Sequence, residues 1–323
     1  MQAKTAVCGA LALLCALACA PPAQAQEFFP VYNQGSLARA FDLPALGRPR
    51  VLAPDASAWY GAVDLSNEYY TDSSAREFLL EDGETARFSL SYARGIGSNV
   101  EVSATLPLLV QGGGFIDHTI EQWHRIFGLP NGGREFAPRQ RYQYTYTRDG
   151  VTVMDAHESG TRLGDVLLGA GWQWTSSTAL RAQLKLPTGD KGQLAGGNAG
   201  GALWLDTALP FDRASTLSGY LSGGVSANGS SGPLGDLQQR VLGFGGGGLG
   251  WQAFNRVQLV GQLYFHSPLY KDTDISGLKK PGGQLLLGAN VRVAPGTLFK
   301  IAFQEDIVTN SSPDFSLHFG LSL

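Results

Sequence analysis

Apolar and polar residues alternate through the C-terminal half of the chain, and this period of two constrains the fold more than any other feature. In the last segment Phe315, Leu317, Phe319, Leu321 and Leu323 are apolar, and a polar or small residue separates each from the next. Successive side chains of a β-strand point to opposite faces of the sheet. The pattern therefore predicts strands that have one apolar face and one polar face.

Two architectures use such strands. In a soluble sandwich the apolar face packs on a second sheet, whereas in an outer-membrane barrel it faces lipid and the polar face lines the lumen. The N-terminal residues favour the barrel, because Lys4 precedes an apolar run from Ala6 to Ala20 and Ala23–Ala25 has the small-x-small form of a cleavage site. Residues 1–25 are thus predicted to be a cleaved secretory signal peptide.

The three cysteines of the chain, Cys8, Cys15 and Cys19, all lie within this predicted signal peptide. An alternative is a lipoprotein signal cut before Cys19. The 24 basic and 27 acidic residues nearly balance, so nothing indicates a nucleic-acid partner. We expect an exported protein without disulfides in the outer membrane of a Gram-negative bacterium, surrounded by outer-membrane lipid.

Residues 57–323 are predicted to form a single all-β domain, an antiparallel transmembrane barrel of about 12 strands. Short turns alternate with long connections, as in outer-membrane barrels, where the short turns face the periplasm and the long loops face outward. The connection from Tyr70 to Gly83 is counted among the long loops. The predicted strands span 57–69, 84–94, 99–108, 164–175, 178–187, 200–210, 215–227, 238–252, 256–267, 281–293, 297–306 and 313–323.

Aromatic residues recur near the predicted strand ends, which is typical of the two membrane–water interfaces. Those at the predicted periplasmic ends are Trp59, Tyr92, Trp172, Trp174, Trp251 and Phe299. Those at the outer ends are Tyr69, Trp204 and Phe265.

Two segments lack the strand pattern. Residues 26–56 have no clean period, and they are predicted to be either a periplasmic extension or a plug-like segment in the lumen. The 109–161 connection contains one short predicted helix, in which Ile116, Ile120, Trp123 and Phe127 recur at helical spacing and are candidates for a gate. This helix could lie on the rim, dip into the membrane surface or constrict the lumen. Residues 134–148, rich in Arg and Tyr, are expected to form a solvated surface loop.

The period of two also assigns side chains to the predicted lumen. A network of paired charges across a narrow barrel and a water-filled passage tuned by charge both fit this set. The candidate lumen-lining residues are Asp64, Arg87, Glu101, Arg181, Lys185, Arg292, Lys300 and Asp306.

Catalytic, metal and cofactor sites are not predicted. His118, Glu121 and His124 are three residues apart, so a helix would spread them over a wide arc instead of placing them as zinc ligands. His266 and Ser267 resemble the histidine and serine of a twelve-stranded outer-membrane phospholipase. However, an adjacent pair alone does not supply the geometry of a nucleophile and its base.

Four segments carry a resemblance to a known group: Leu80–Thr85, Trp123–Pro130, Leu186–Asp190, and Glu305–Asp306 with Ser312–Phe315. Through them the chain resembles an uncharacterised family of Gram-negative outer-membrane β-barrel proteins, classed only as a domain of unknown function. The Leu186–Asp190 element also resembles outer-membrane proteins of phenol meta-pathways. The resemblance implies a barrel but brings no known activity or site residues.

The leading predicted function is a passive or gated channel for small molecules, with hydrophobic or aromatic molecules as one class of solute. The alternatives are a closed barrel with a structural or surface-interaction role and a membrane-embedded hydrolase. The predicted partners are lipid, the barrel-assembly machinery during biogenesis and an unidentified small-molecule solute. The barrel is expected to be a monomer. The chain ends in Leu323, whereas many outer-membrane proteins end in Phe or Trp.

Overall fold

The computed structural model describes residues 28–116, 118, 121–122, 125–126, 128, 133, 136–212, 215–308, 312–313 and 315–323. The predicted signal peptide lies outside these residues. Within the described part of the chain, no helix is long and apolar enough to cross a membrane.

The strands form one antiparallel sheet that closes on itself. β1 pairs with β2 on one side and with β15 on the other, and β2 continues to β3. β6 and β7 both pair with β3 and act as one barrel strand, so that twelve barrel strands form the closed ring. The predicted twelve-stranded antiparallel barrel is confirmed. The strands are β1 (Ser57–Ser73), β2 (Glu77–Ile96), β3 (Val100–Gly112), β4 (Gln143–Arg148), β5 (Val151–Ala156), β6 (Gly160–Leu163), β7 (Val166–Gln173), β8 (Thr178–Leu186), β9 (Gly200–Ala208), β10 (Leu217–Asn228), β11 (Val241–Phe254), β12 (Val257–His266), β13 (Gly282–Ala294), β14 (Thr297–Asp306) and β15 (Phe315–Ser322).

The distribution of side chains between the two faces is the reverse of that in a soluble protein. On β9, Leu203 is 56% exposed on the outer face, whereas Asp206 on the inner face is fully buried. Leu221 and Val225 on β10 are likewise exposed. A continuous apolar band of this kind is not tolerated on a soluble monomer, and it is the surface that a barrel presents to hydrocarbon chains.

Substitution of Leu221 by Arg tests this orientation. The side chain is 58% exposed on the outer face of β10, and a charge placed near the bilayer centre costs about 2–4 kcal/mol. We expect Leu221→Arg to lower the free energy of unfolding in lipid vesicles by this amount. Phe254→Arg, at the turn end of β11, is the matched control with an expected loss below about 1 kcal/mol. Equal losses for the two variants would contradict the assignment of the outer face.

One predicted long loop is wrong. The stretch from Tyr70 to Gly83 is the outer part of a long hairpin, in which Ser73 pairs with Phe78. The outer half of β2 gains a second partner, because Glu77 to Asp82 also pair with β4. Pairing on both sides of β2 satisfies the backbone groups that a single hairpin would leave exposed, and this extends the sheet beyond the ring.

The prediction of a solvated loop over residues 134–148 is wrong for its last six residues. Gln143–Arg148 is β4, and Tyr144 and Tyr146 are fully buried on its inner face. At the start of the strand Arg141 donates to Asp82 at 2.6 Å. The β4–β5 hairpin therefore continues the wall and covers part of the outer end.

The exposed aromatic residues include Trp172, Trp174 and Trp251 near the short turns. Trp204 does not belong to such a girdle. It is 7% exposed, and its indole N–H donates to Asp206 at 3.1 Å inside the barrel. The prediction failed at Trp204 because its position on β9 has the same parity as the buried polar residues.

Residues 28–56 are called the luminal segment below, and most of them lie inside the ring, whereas residues 53–55 are exposed. Phe29, Val31 and Leu46 are completely buried, and a short 3-10 turn spans Leu37–Ala40. Phe28 packs edge-on against Tyr220 of the wall, with ring centroids 4.6 Å apart. This segment, together with inward side chains, therefore occupies much of the interior of the barrel.

Candidate functional site in the barrel lumen

Alternate positions on the strands direct polar side chains to the luminal segment. Of the eight candidate lumen-lining residues, Arg292 is exposed near the short-turn end, and Asp306 is half-buried near the outer end of β14. The other six are at least nine-tenths buried: Asp64, Arg87, Glu101, Arg181, Lys185 and Lys300.

Glu101 is the centre of a charged cluster near the short-turn end. Its carboxylate lies 2.5 Å from the Arg48 guanidinium and 3.2 Å from that of Arg181, and it accepts from the Leu52 N–H at 2.9 Å. Arg181 also donates to the carbonyl oxygens of Arg48 and Arg50, at 2.7 and 2.9 Å. The wall thus binds both the charge and the backbone of residues 48–52.

Asp206 extends this cluster on β9. It accepts from the N–H groups of Gly47 and Arg48 at 3.2 and 3.3 Å and pairs with Arg181 at 3.2 Å. Gly47 has a φ of +98°, and a Cβ there would lie 3.0 Å from the Tyr220 ring. Glycine is required at this bend because the backbone is left-handed and closely packed.

Hydrogen bonds from Gln262 and Lys300 and one ion pair hold the middle of the luminal segment. The Gln262 amide accepts from the Phe29 N–H at 2.8 Å and donates to the Phe29 carbonyl at 3.0 Å. Lys300 donates to the Phe28 carbonyl at 2.9 Å. On β2, Arg87 pairs with Asp42 at 2.9 Å.

A linked set of titratable groups lies on β1 and β15. His318 Nδ1 is 2.5 Å from Asp64, and His318 Nε2 is 2.5 Å from the Tyr60 hydroxyl. Tyr32 of the luminal segment donates to Asp64 at 3.3 Å. Burial raises the pKa of Tyr32 well above its usual value, so this hydroxyl stays protonated and remains a donor.

Glu68 holds the part of the segment nearest the outer loops. It accepts from the Ser36 N–H at 2.8 Å, from the Ser36 hydroxyl at 2.5 Å and from the Tyr144 hydroxyl at 2.7 Å. His266 Nε2 lies 2.9 Å from the Asn33 amide nitrogen. Residues of β1, β4 and β12 therefore converge on residues 33–36.

Lys185 and Asp165 form a buried pair at 3.1 Å, and Lys185 also donates to the Ala40 carbonyl. Asp165 accepts from the N–H groups of Gly189 and Gly197, each at 2.8 Å. The Leu186–Asp190 element is thereby fixed over the lumen through the same carboxylate that pairs with Lys185.

A cavity of about 970 Å³ lies on the short-turn side of the luminal segment. Arg48, Glu101, Arg181 and Arg292 line it, as do hydroxyl and amide groups of several strands. A pocket of about 50 Å³ lies toward the outer loops, between residues 33–38 and Tyr270. We call the larger space the vestibule. The luminal segment separates it from the outer end of the barrel.

Of the four gate candidates in the 109–161 connection, the structure describes Ile116. Ile116 packs against Phe315, and Phe303 and Leu317 on the same outward face contact this pair. The segment before the helix is fixed by Glu84, which accepts from the Ile116 N–H at 3.1 Å. Ile116 therefore lies on the outside of the wall, where it cannot obstruct the lumen. Ile120, Trp123 and Phe127 lie outside the described residues, and their role stays a prediction.

The geometry around His266 does not assemble a nucleophile. Its Nδ1 lies 2.8 Å from the Ser267 carbonyl oxygen, and its other nitrogen contacts Asn33. The Ser267 hydroxyl accepts from the Gly243 N–H at 3.1 Å. Within the described part of the chain, no group of His, Cys, Asp and Glu has the arrangement of a metal site.

The residues of the luminal segment that bind the wall were missing from the sequence prediction. Tyr32, Ser36, Asp42 and Arg48 come from irregular backbone, where no periodicity assigns a direction to a side chain. A signal did exist, because Phe28 and Phe29 sit beside polar residues in a segment without strand or helix pattern. Such a mixture fits a segment that is enclosed by a wall with both polar and apolar inward side chains.

Comparisons with known proteins agree with the fold. The COG4313 outer membrane channel from Pseudomonas putida F1 matches with a TM-score of 0.55 and 11% identity, over 85% of this chain and 97% of that chain. The toluene transporter TodX from Pseudomonas putida matches with a TM-score of 0.40 and 10% identity, over 92% and 98%. TbuX from Ralstonia pickettii, also a toluene transporter, matches with 0.39 and 11%, over 92% and 94%.

The first of these likenesses shows the barrel fold alone, and the other two are too weak to carry an argument. None of the curated proteins compared with the chain matches it. One family model matches residues 6–323, and its description is "Protein of unknown function (DUF3187)". The membership in an uncharacterised family that the sequence predicted is confirmed: the chain belongs to this family.

Proposed function

We propose that the protein is a gated channel for small molecules in the outer membrane, and that the luminal segment is its gate. One observation carries the proposal: residues 28–52 lie across the lumen of a ring of twelve strands and separate a vestibule of about 970 Å³ from the outer loops. A barrel of this size would leave a passage if the segment moved aside. The structurally similar protein from Pseudomonas putida F1 is described as an outer membrane channel, which supports the same role.

The contacts that hold the gate suit reversible movement. The groups that bind residues 28–52 are mostly charged or amide side chains, such as Arg87, Glu101 and Gln262. When the segment leaves, water can replace these bonds and hydrate the exposed charges, so the net cost per hydrogen bond is about 0.5–1.5 kcal/mol. The apolar side chains of the segment, such as Phe29 and Leu46, pack in one buried cluster with wall residues such as Val260, and exposing them adds a hydrophobic cost to opening.

The direction of opening follows from the two ends of the lumen. The segment is continuous with β1 at the short-turn end, where residues 53–55 are exposed. At the outer end the β4–β5 hairpin and residues 267–281 cover it, and Tyr270 donates to the Leu37 carbonyl at 2.8 Å. We therefore propose that the segment withdraws toward the vestibule.

The vestibule gives only a broad indication of the solute. The aromatic side chains of Tyr60 and Trp204 line it together with hydroxyl groups and arginines. Such a lining accepts small amphiphilic molecules, with the polar groups fixing their orientation. The inclusion of hydrophobic or aromatic solutes remains a proposal. So do the cleaved signal peptide, insertion by the barrel-assembly machinery and a monomeric state.

Gln262→Leu tests the gate in planar bilayers. The substitution removes both hydrogen bonds to Phe29, worth about 2 kcal/mol together, so we expect the open probability to rise about thirtyfold. Gln258→Leu is a matched control on the same strand and face. Its amide bonds Ser218 and Asn290 in the vestibule and not the luminal segment, so its open probability should equal that of the wild type.

A second candidate function is a closed barrel with a structural or surface-interaction role. The filled lumen is the observation that favours it. This function predicts a sealed bilayer for the wild type and for Gln262→Leu alike, together with no flux of any small solute into vesicles. A rise in open probability confined to Gln262→Leu would exclude it.

A further inference from the structure

A stripe of buried polar side chains runs across adjacent strands of the wall beside the luminal segment. Their hydrogen-bonding atoms are unusual, because no described residue satisfies them. The side chains concerned are 0–3% exposed. The polar stripe consists of Thr85 Oγ1, Ser316 Oγ, Gln304 Oε1 and both side-chain polar atoms of Gln284.

Strand register makes these groups neighbours. Thr85 is opposite Ser66, Ser66 is opposite Ser316, and Ser316 is opposite Gln304. Directly opposite residues have Cβ atoms about 4.5–5.5 Å apart. Gln284 on β13 is opposite Asp306, which lies two residues beyond Gln304 toward the outer loops. Gln284 therefore extends the stripe in that direction.

On either side of the stripe, β15 and the residues before it carry further polar groups. His318 follows Ser316 by two residues on β15 and is the next lumen-facing residue toward the short turns. It lies between Asp64 and Tyr60, which both line the vestibule. Toward the outer loops, the Ser312 hydroxyl is buried and likewise has no partner among the described residues. The stripe also borders the luminal segment, because the Gln304 amide nitrogen donates to the Tyr32 carbonyl at 3.0 Å.

Buried polar atoms without a partner are costly, and a water molecule bound by two to four such atoms removes that cost. We propose that a file of water molecules occupies the polar stripe and connects the vestibule with the outer end while the luminal segment is in place. A hydrogen-bonded chain of this kind passes protons from group to group. A single file of water molecules carries protons in this way and does not pass hydrated ions. The inference concerns the closed barrel and does not depend on which solute passes the open one.

The test uses the full-length mature protein in lipid vesicles. A pH-sensitive dye reports proton flux and a potassium-sensitive dye reports leakage through open gates. Thr85→Val, Ser316→Ala and Gln284→Met are combined, since none of the three side chains bonds to the luminal segment. We expect proton flux to fall about fivefold or more, because the chain of hydrogen-bonded groups is interrupted, with potassium flux unchanged.

Thr105→Val is the matched control, because this hydroxyl is bonded to Ser91 at 2.8 Å in the open vestibule, and its proton flux should equal that of the wild type. Thr85→Val alone keeps the test informative if the triple variant does not fold. For a hydroxyl that binds water we expect an unchanged or lower melting temperature and a lower proton flux. A higher melting temperature with unchanged flux would show that the hydroxyl is dry, and would overturn the proposal.

Discussion

Deletion of residues 28–50 should turn a channel that rests closed into one that stays open. The deletion removes every contact of Gln262, Lys300 and Arg87 with the luminal segment, while Leu52 and the residues leading into β1 remain. The wall charges become hydrated, so the ring itself should persist. We expect the mean conductance in planar bilayers to rise at least about tenfold, because a twelve-stranded barrel without its contents is wider than the packed eight-stranded type.

A second deletion is the control. It removes part of the 109–161 connection, whose helix contains the gate candidates predicted from the sequence. Removing residues 117–135 should leave the resting conductance unchanged, because Ile116, which leads into that stretch, packs on the outward face against Phe315. The folded state of both variants is checked by their heat-modifiable migration in gels. If the loop deletion opens the channel and the deletion of 28–50 does not, the gate has been assigned to the wrong segment.

Glu101→Gln should have the next largest effect. The substitution leaves the buried Arg181 and the half-buried Arg48 without their shared carboxylate, and loss of one member of a buried ion pair costs about 3–5 kcal/mol. Residues 47–52 can escape this cost by leaving the wall for water. We therefore expect the open probability to rise about a hundredfold or more, with faster amide exchange confined to residues 47–52.

The control for Glu101→Gln is an ion pair of the same chemistry at the surface. Asp55 lies 3.4 Å from Arg94, and its side chain is 89% exposed. Exposed pairs contribute about 0–1 kcal/mol, so Asp55→Asn should change the open probability by no more than about fivefold. Equal effects of the two substitutions would mean that the Glu101 cluster does not hold the gate.

The barrel could be predicted from the sequence because the alternation of apolar and polar residues in each strand is a local pattern. Each strand repeats apolar outside and polar inside every two residues, as Leu203 and Asp206 illustrate, and no long-range information is needed. The hairpin at Tyr70–Gly83 was missed because its polar composition is that of a loop. Its extended form depends on β4, a partner more than sixty residues away in sequence.

The strand residues of the candidate site could be predicted in the same way, but the residues of the luminal segment that bind them could not. Parity places Asp64, Glu101 and Arg181 among the inward positions, whereas no periodicity relates them to Tyr32 or Arg48. These contacts arise from irregular backbone that folds only within the completed ring. Trp204 was predicted to lie at the membrane–water interface because it is an aromatic residue near a strand end. Its parity on β9 places it inside the barrel instead, where it donates to Asp206.

Amide hydrogen exchange of the mature protein in lipid vesicles tests the central claim, that residues 28–50 rest inside the barrel. The N–H groups of Phe29, Ser36 and Arg48 are bonded to buried wall side chains. Peptides from this segment should therefore exchange slowly, on the time scale of the strands that enclose them. Exchange of the whole segment within seconds, as in an unstructured tail, would contradict the account, because the lumen would then have no occupant to act as its gate.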